Sequence, residues 1–245
     1  MFTAHSGTAV DRSADRPARD LRRMQRVVAA AVLTIPATAV TIGRLFMTDD
    51  SDTRKALDEI AADPSRQQVV VWLGFLSALT VVPAFLALGR LAKRRRPVLA
   101  AVALGVNLAA YLGGYAMFAI DGLYLAGAGV PAEQRDGAAA LIDQTWSTGA
   151  SGLSTALFVI GHVIGAILMG LALRGSIPTI GWLAMILSQP GHVVAFVVFQ
   201  NVVMDSVAWG LMALCFVIAA IAVLRTPDDE WDLPPRGFGT APAAG

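Results

Sequence analysis

The sequence predicts an all-α integral membrane bundle of six transmembrane helices with both termini on the cytoplasmic side. Three observations predict it. Hydrophobic residues make up 56% of the chain and charged residues 15%, whereas a soluble domain needs about a quarter of its residues charged to cover its surface. The charges are segregated, leaving uncharged windows long enough for a helix to cross a hydrocarbon core of about 30 Å. The basic residues also alternate between loops in the manner of the positive-inside rule.

In chain order, residues 1–23 are polar and rich in Arg, Asp, Ser and Ala, without an apolar period, and read as a disordered cytoplasmic tail. Arg22, Arg23 and Arg26 precede the first span, residues 27–43, which is Ala-rich and contains Pro36. A basic region, a short apolar core and Ala37-Thr38-Ala39 also fit a cleaved signal peptide, which would leave five spans. The apolar run continues past that site, which favours an anchor. Residues 44–68 form a polar loop in which Ser51 or Asp52 caps a short helix running through Ile60, with Pro64 ending it.

The second span, residues 69–91, contains Pro83 and is followed by Lys93-Arg94-Arg95-Arg96, the densest basic run. That run reads as a topology anchor on anionic lipid. The third span is residues 98–120 and ends at Asp121. Residues 122–150 form a second polar segment, with Pro131 and Glu133 at a helix start and Asp143 and Trp146 towards its end. Spans four and five, 151–173 and 179–203, form a hairpin around Arg174-Gly175-Ser176-Ile177-Pro178. The sixth span, 207–224, closes at Arg225, and the acidic, Pro/Gly-rich residues 226–245 read as a disordered tail. Residues 24–225 thus form the membrane domain. Arg22, Arg23, Arg26, Lys93 to Arg96, Arg174 and Arg225 lie on one side. Arg44, Arg54, Lys55, Arg66 and Arg135, diluted by acids, lie on the other.

The hairpin carries the most informative residues. His162 precedes Arg174 by twelve residues and His192 follows Pro178 by fourteen. At about 1.5 Å per helical residue the two imidazoles share one depth, near mid-membrane. His162 lies on a face with Thr155, Phe158, Gly165 and Met169, flanked by Gly161 and Gly170, so small residues let protein rather than lipid approach it. His192 follows Ser188-Gln189-Pro190-Gly191. Pro190 frees the Ile186 carbonyl and should kink the helix, and irregular backbone at that depth needs protein or a wet cavity beside it. Ser188 shares the face of His192. A polar pocket between spans four and five follows, completed by Asn107, Tyr111 or Tyr115 from span three.

Three roles fit such a pocket. The first is haem b with His162 and His192 as axial ligands, for which a helix separation of about 8–10 Å is tight. The second is a cavity for a small apolar or amphipathic ligand, with neutral histidines as hydrogen-bonding groups. The third is plain interhelical glue, in which the histidines bond each other, Ser188, Thr155 or the freed carbonyl. A metal site is not expected, because no third histidine, carboxylate or thiolate lies at a matching depth. Asp121 and Asp205, the latter between spans five and six beside Gln200, Asn201 and Ser206, mark a second candidate site. Both are read as helix-end residues at the water boundary, as an acid–base pair acting on a lipid or isoprenoid substrate, or as a cation-binding pair.

No Lys, Arg, Asp or Glu lies in the middle of a span, which speaks against ion pumps and opsin-like proteins. There is no nucleotide loop, catalytic Ser or Cys motif or zinc-protease signature, and no basic patch with interleaved aromatics for nucleic acid. The lone Cys215 cannot form an internal disulfide.

The run Gly161-His162-Val163-Ile164-Gly165 with Leu168, Gly170 and Leu173, then Pro178 and Ser188-Gln189-Pro190-Gly191-His192, resembles a pattern in multi-span membrane proteins of high-GC actinobacteria. The resemblance covers the hairpin and implies a bacterial cytoplasmic-membrane location but no activity. The expectation is therefore a multi-pass protein in the bilayer that binds or moves a small amphipathic ligand. No cofactor or nucleic-acid partner is expected. Haem b and lipid-directed catalysis are the alternatives.

Overall fold

In the computed structural model, residues 21–48, 52–115 and 117–231 are described, and they are helical throughout, without a strand. The helices are α1 (Arg22–Thr34), α2 (Pro36–Arg44), α3 (Thr53–Ala62), α4 (Pro64–Lys93), α5 (Pro97–Gly113) and α6 (Met117–Ala128). After a short 3-10 turn come α7 (Arg135–Ser147), α8 (Gly149–Leu173), α9 (Thr179–Val193), α10 (Val202–Arg225) and α11 (Asp228–Trp231). Among the described residues, five stretches are long and apolar enough to cross a membrane: α1 with α2, α4, α8, α9 with its π-helical extension, and α10. They fit a multi-pass membrane protein.

Six elements close a ring. Helix α5 packs on α8, α8 on α9, α9 on α10, α10 on the α1–α2 pair, that pair on α4, and α4 back on α5. On α4, Trp72, Phe75, Leu79 and Leu86 face outwards while Val81, Phe85 and Leu88 are buried. A helix apolar on both sides belongs in a bundle surrounded by lipid. At the end bearing Lys93 and Arg94 (the basic end), the ring is filled by Leu88, Leu91, Met169, Leu173, Met185 and Val223. Glycines set its tightest approaches. A Cβ on Gly170 would lie 2.6 Å from Ile186 and 2.8 Å from the Trp182 carbonyl, on α9. Those on Gly161 and Gly165 would meet Ala110 and Asn107, on α5. Between these two helices Asn107 donates through Nδ2 to the Gly165 carbonyl at 2.9 Å.

The opposite end carries a cap of α3, α6 and α7 with its own small core of Leu57, Ile60, Ala128, Ala139 and Ile142. Asp52 caps α3, accepting from the backbone of Arg54 and Lys55, while Ser51 lies outside the described residues. Arg54 ties α3 to α7 through Asp136 at 2.8 Å and also pairs with Asp58, and Arg135 reaches Asp58 at 2.7 Å. Thr53 donates to Asp143 at 2.6 Å.

Four expectations change. The third span is not one helix to Ile120: α5 stops at Gly113, and Gly114 sits where any Cβ would fall 2.5 Å from Phe158. Helix α6 then runs past Asp121, which is not a helix end. The fifth span does not reach 203. Instead α9 gives way to a π-helical turn at Val194–Val198, Gln200 takes a φ of +47°, and Asn201 caps α10 by accepting from the Met204 backbone. Residues 226–231 are ordered, because Trp231 is buried beneath the Arg90 guanidinium, 4.4 Å from its ring, and Arg94 pairs with Glu230 at 3.5 Å. The rest of that tail and residues 1–20 lie outside the described residues.

Candidate functional site

A cavity of about 620 Å³ occupies the cap-end half of the ring. Its walls run from Gln67 to Val81 on α4, and include Tyr111 on α5, His162 on α8, His192 on α9 and Trp209 on α10. Thr53, Tyr124, Asp143 and Trp146 of the cap and its neighbours border the mouth. A volume of this size matches ordinary small-molecule sites.

At its inner end the two histidines meet, ring centroids 5.6 Å apart and tilted by 53°. The equal depth expected from the hairpin count is the depth at which they sit. His162 is fixed by stacking on Phe158 at 4.7 Å and by a hydrogen bond from Nδ1 to the Phe158 carbonyl, one turn earlier. His192 hydrogen-bonds through Nδ1 to Asp205 Oδ1, and the other Asp205 oxygen pairs with Arg44 Nε at 3.1 Å. Asp205 is fully buried. Its place in the first turn of α10 puts the carboxylate at the positive end of the helix dipole. The Arg44 guanidinium also lies over Phe196, 5.4 Å from the ring centre. Because the π-helical turn ends the hairpin early, His192 stands only six residues from its end, within reach of Asp205.

A carboxylate therefore does pair with one of the histidines, contrary to expectation, and Asp205, although in the first turn of its helix, is closed off from solvent by protein. No group of three His, Cys, Asp or Glu able to hold a metal ion occurs among the described residues. Asp121 lines the cavity half-buried, its carbonyl accepting from Gln67 Nε2 at 2.9 Å, and it lies in the electrostatic field of Arg44.

The other expected residues divide. Tyr111 is buried on the cavity wall and its hydroxyl has no hydrogen-bond partner. Thr155 lines the cavity with its hydroxyl donating to the Ser151 carbonyl at 3.0 Å. Ser188, fully buried, donates to the Met185 carbonyl at 2.8 Å, and Asn107 serves the α5–α8 contact instead. Tyr115 is exposed, its hydroxyl donating to the Ala78 carbonyl at 2.7 Å.

Arg44, Phe196 and Trp209 had no role in the sequence reading. Arg44 registered only as a loop charge, although it ends the first span. Trp209, centroid 5.5 Å from His192, follows Asp205 by one turn, a spacing that could have flagged it. Its indole N–H has no hydrogen-bond partner. His162 Nε2 likewise forms no hydrogen bond of good geometry, with the Gln189 side chain as a loose polar neighbour.

No protein-family model, curated protein or solved structure matches the chain.

Proposed function

We propose that this is a bacterial cytoplasmic-membrane protein that binds or moves a small apolar or amphipathic ligand, held tail-outwards in the cap-end cavity. In this reading the chain crosses six times, with α5 and the start of α6 as a broken sixth crossing. At 17 residues, α5 is about 25 Å long, short of a hydrocarbon core of about 30 Å. Both termini lie on the cytoplasmic side, because Arg22, Arg23, Arg26, Lys93 to Arg96, Arg174 and Arg225 share the basic end. The cavity then faces outwards.

One observation carries the reading. A largely apolar cavity of about 620 Å³ opens inside the cap-end half of the ring, and its wall carries the polar residues Tyr111, His162, His192 and Trp209. A mostly apolar site with a few polar groups on its wall suits a small amphipathic ligand. Haem b fits less well, since its macrocycle would have to enter between two rings already in contact at 5.6 Å. The lipid-enzyme alternative loses its free carboxylate pair, because Asp205 is engaged by Arg44 and His192.

The test is quenching of tryptophan emission by ω-bromoundecanol in nanodiscs, with Trp209 and Trp146 both on the cavity wall. Saturable quenching is expected in the wild type and not in Gly74→Leu, whose side chain would enter the cavity beside Asp121. Non-saturable quenching in both would show mere partitioning and overturn the reading. A Soret band lost in His162→Ala and His192→Ala would put haem in its place.

A further inference from the structure

We infer that the cavity opens sideways into the bilayer, through a slot between α8 and the π-helical turn that extends α9, so that its ligand comes from the lipid and not from the water beyond the cap. This rests on the ligand reading above and names the source of that ligand.

The slot follows from a hairpin that is closed at one end only. At the basic end Gly170 brings α8 onto α9, with no room for a Cβ beside Ile186 and the Trp182 carbonyl. Half-way along, the rings of His162 and His192 still meet, their centroids 5.6 Å apart. Beyond them the chain enters the turn Val194–Val198, which packs against α9 and α10 but has no comparable packing against α8. On its other side the same turn is bridged to α2, because the Arg44 guanidinium lies 5.4 Å from the Phe196 ring centre and pairs with Asp205.

Thr155, Phe158 and Val159 on α8, and Val193, Phe196 and Val197 on α9 and its turn, all line the cavity. Val159 is nevertheless 41% exposed and Val197 63%, where two valines in a closed seam would be buried like Met169 and Met185. Ile160 and Ile164 on one flank and Val194 and Val198 on the other are exposed as well, so acyl chains cover the surface on both sides of the slot. Among the six lining residues the one polar side chain, Thr155, donates its hydroxyl to the Ser151 carbonyl of its own helix at 3.0 Å. An alkyl chain sliding in from the bilayer therefore stays among apolar groups. The mouth under the cap is bordered instead by Thr48, Thr53 and Asp143, with Thr48 bonded to Glu59 and Thr53 donating to Asp143 at 2.6 Å. Entry there would take every methylene through water first, at a hydrophobic cost for each.

The experiment follows the onset of tryptophan quenching by ω-bromoundecanol after rapid mixing with the protein in nanodiscs. Val197→Cys is measured before and after modification with benzyl methanethiosulfonate, which spares the fully buried Cys215, and again after dithiothreitol removes the benzyl group. Modification is expected to slow the onset about tenfold, the effect of a barrier raised by about 1.4 kcal/mol. The final quenching is expected to be retained, and dithiothreitol to restore the rate. The same treatment of Thr48→Cys, at the cap mouth, is expected to leave the rate unchanged. If Val197→Cys does not fold, Val159→Cys on α8 takes its place. An unchanged onset with the slot modified, or a slowing at Thr48 as large, overturns the lateral entrance and leaves the cavity reading intact. Quenching that does not saturate in the unmodified protein overturns both.

Discussion

The two halves of the ring are built from the same six elements and solve opposite problems. At the basic end, Gly170 draws α8 and α9 together and Leu88, Met169, Leu173 and Met185 fill the axis completely. At the cap end, the same two helices part around His162, His192 and a cavity of about 620 Å³. Dispersion and close packing hold one half. In the other, a chain of polar contacts runs from Arg44 through Asp205 to His192, with Phe158, Phe196 and Trp209 packed against the imidazoles. The closed half therefore supplies the rigidity against which an open half can be kept.

Substitutions in the two halves should separate stability from binding. The largest effect is expected from Asp205→Ala, which strands the half-buried Arg44 guanidinium and the His192 imidazole. Breaking a buried pair in this way costs about 3–5 kcal/mol, so both the melting temperature in detergent and saturable alcohol binding should fall. Leu88→Ala, at a fully buried position away from the cavity, should cost about 2–5 kcal/mol through cavity formation. Its melting temperature should drop while the affinity for ω-bromoundecanol stays at the wild-type value. Loss of affinity there would mean that the two halves are not separable.

The cap should respond to acid. Hydrogen bonds from Arg54 and Arg135 hold the Asp58 carboxyl below its ordinary value of 3.8. A depressed carboxylate contributes stability above that ordinary value and loses it as pH falls towards the folded-state value. Hydrogen exchange in α3 and α7 should therefore quicken below about pH 4, modestly because the pair is exposed. In Asp58→Asn the acid step should be absent, and equal acid sensitivity in that variant would remove Asp58 as its cause.

The contrast also explains what the sequence could and could not disclose. Hydropathy located the long helices because lipid demands unbroken apolar runs, and the short Arg174–Pro178 link made α8 and α9 neighbours. Counting from that link brought His162 and His192 to one depth. Asp52 and Pro64 punctuated the cap by local chemistry that acts at a distance of three or four residues. Three features were not legible. The break at Gly113-Gly114 sits inside a continuous apolar run, where a glycine pair reads as easily as a close-packing point as a helix end. The pairing of Asp205 with His192 depends on the π-helical turn at Val194–Val198 and on the Asn201 cap, which together shorten α9 and lengthen α10 towards each other. Trp209 lies on a helix apolar on nearly all sides, and only its place one turn after Asp205 hints at its inward face.

The most direct measurement is native mass spectrometry of the protein released from nanodiscs after incubation with ω-bromoundecanol, the wild type beside Gly74→Leu. A cap-end ligand cavity predicts one bound alcohol per wild-type chain, marked by the bromine isotope doublet, and none on Gly74→Leu. No adduct on either protein, or the same graded series of adducts on both, would contradict it.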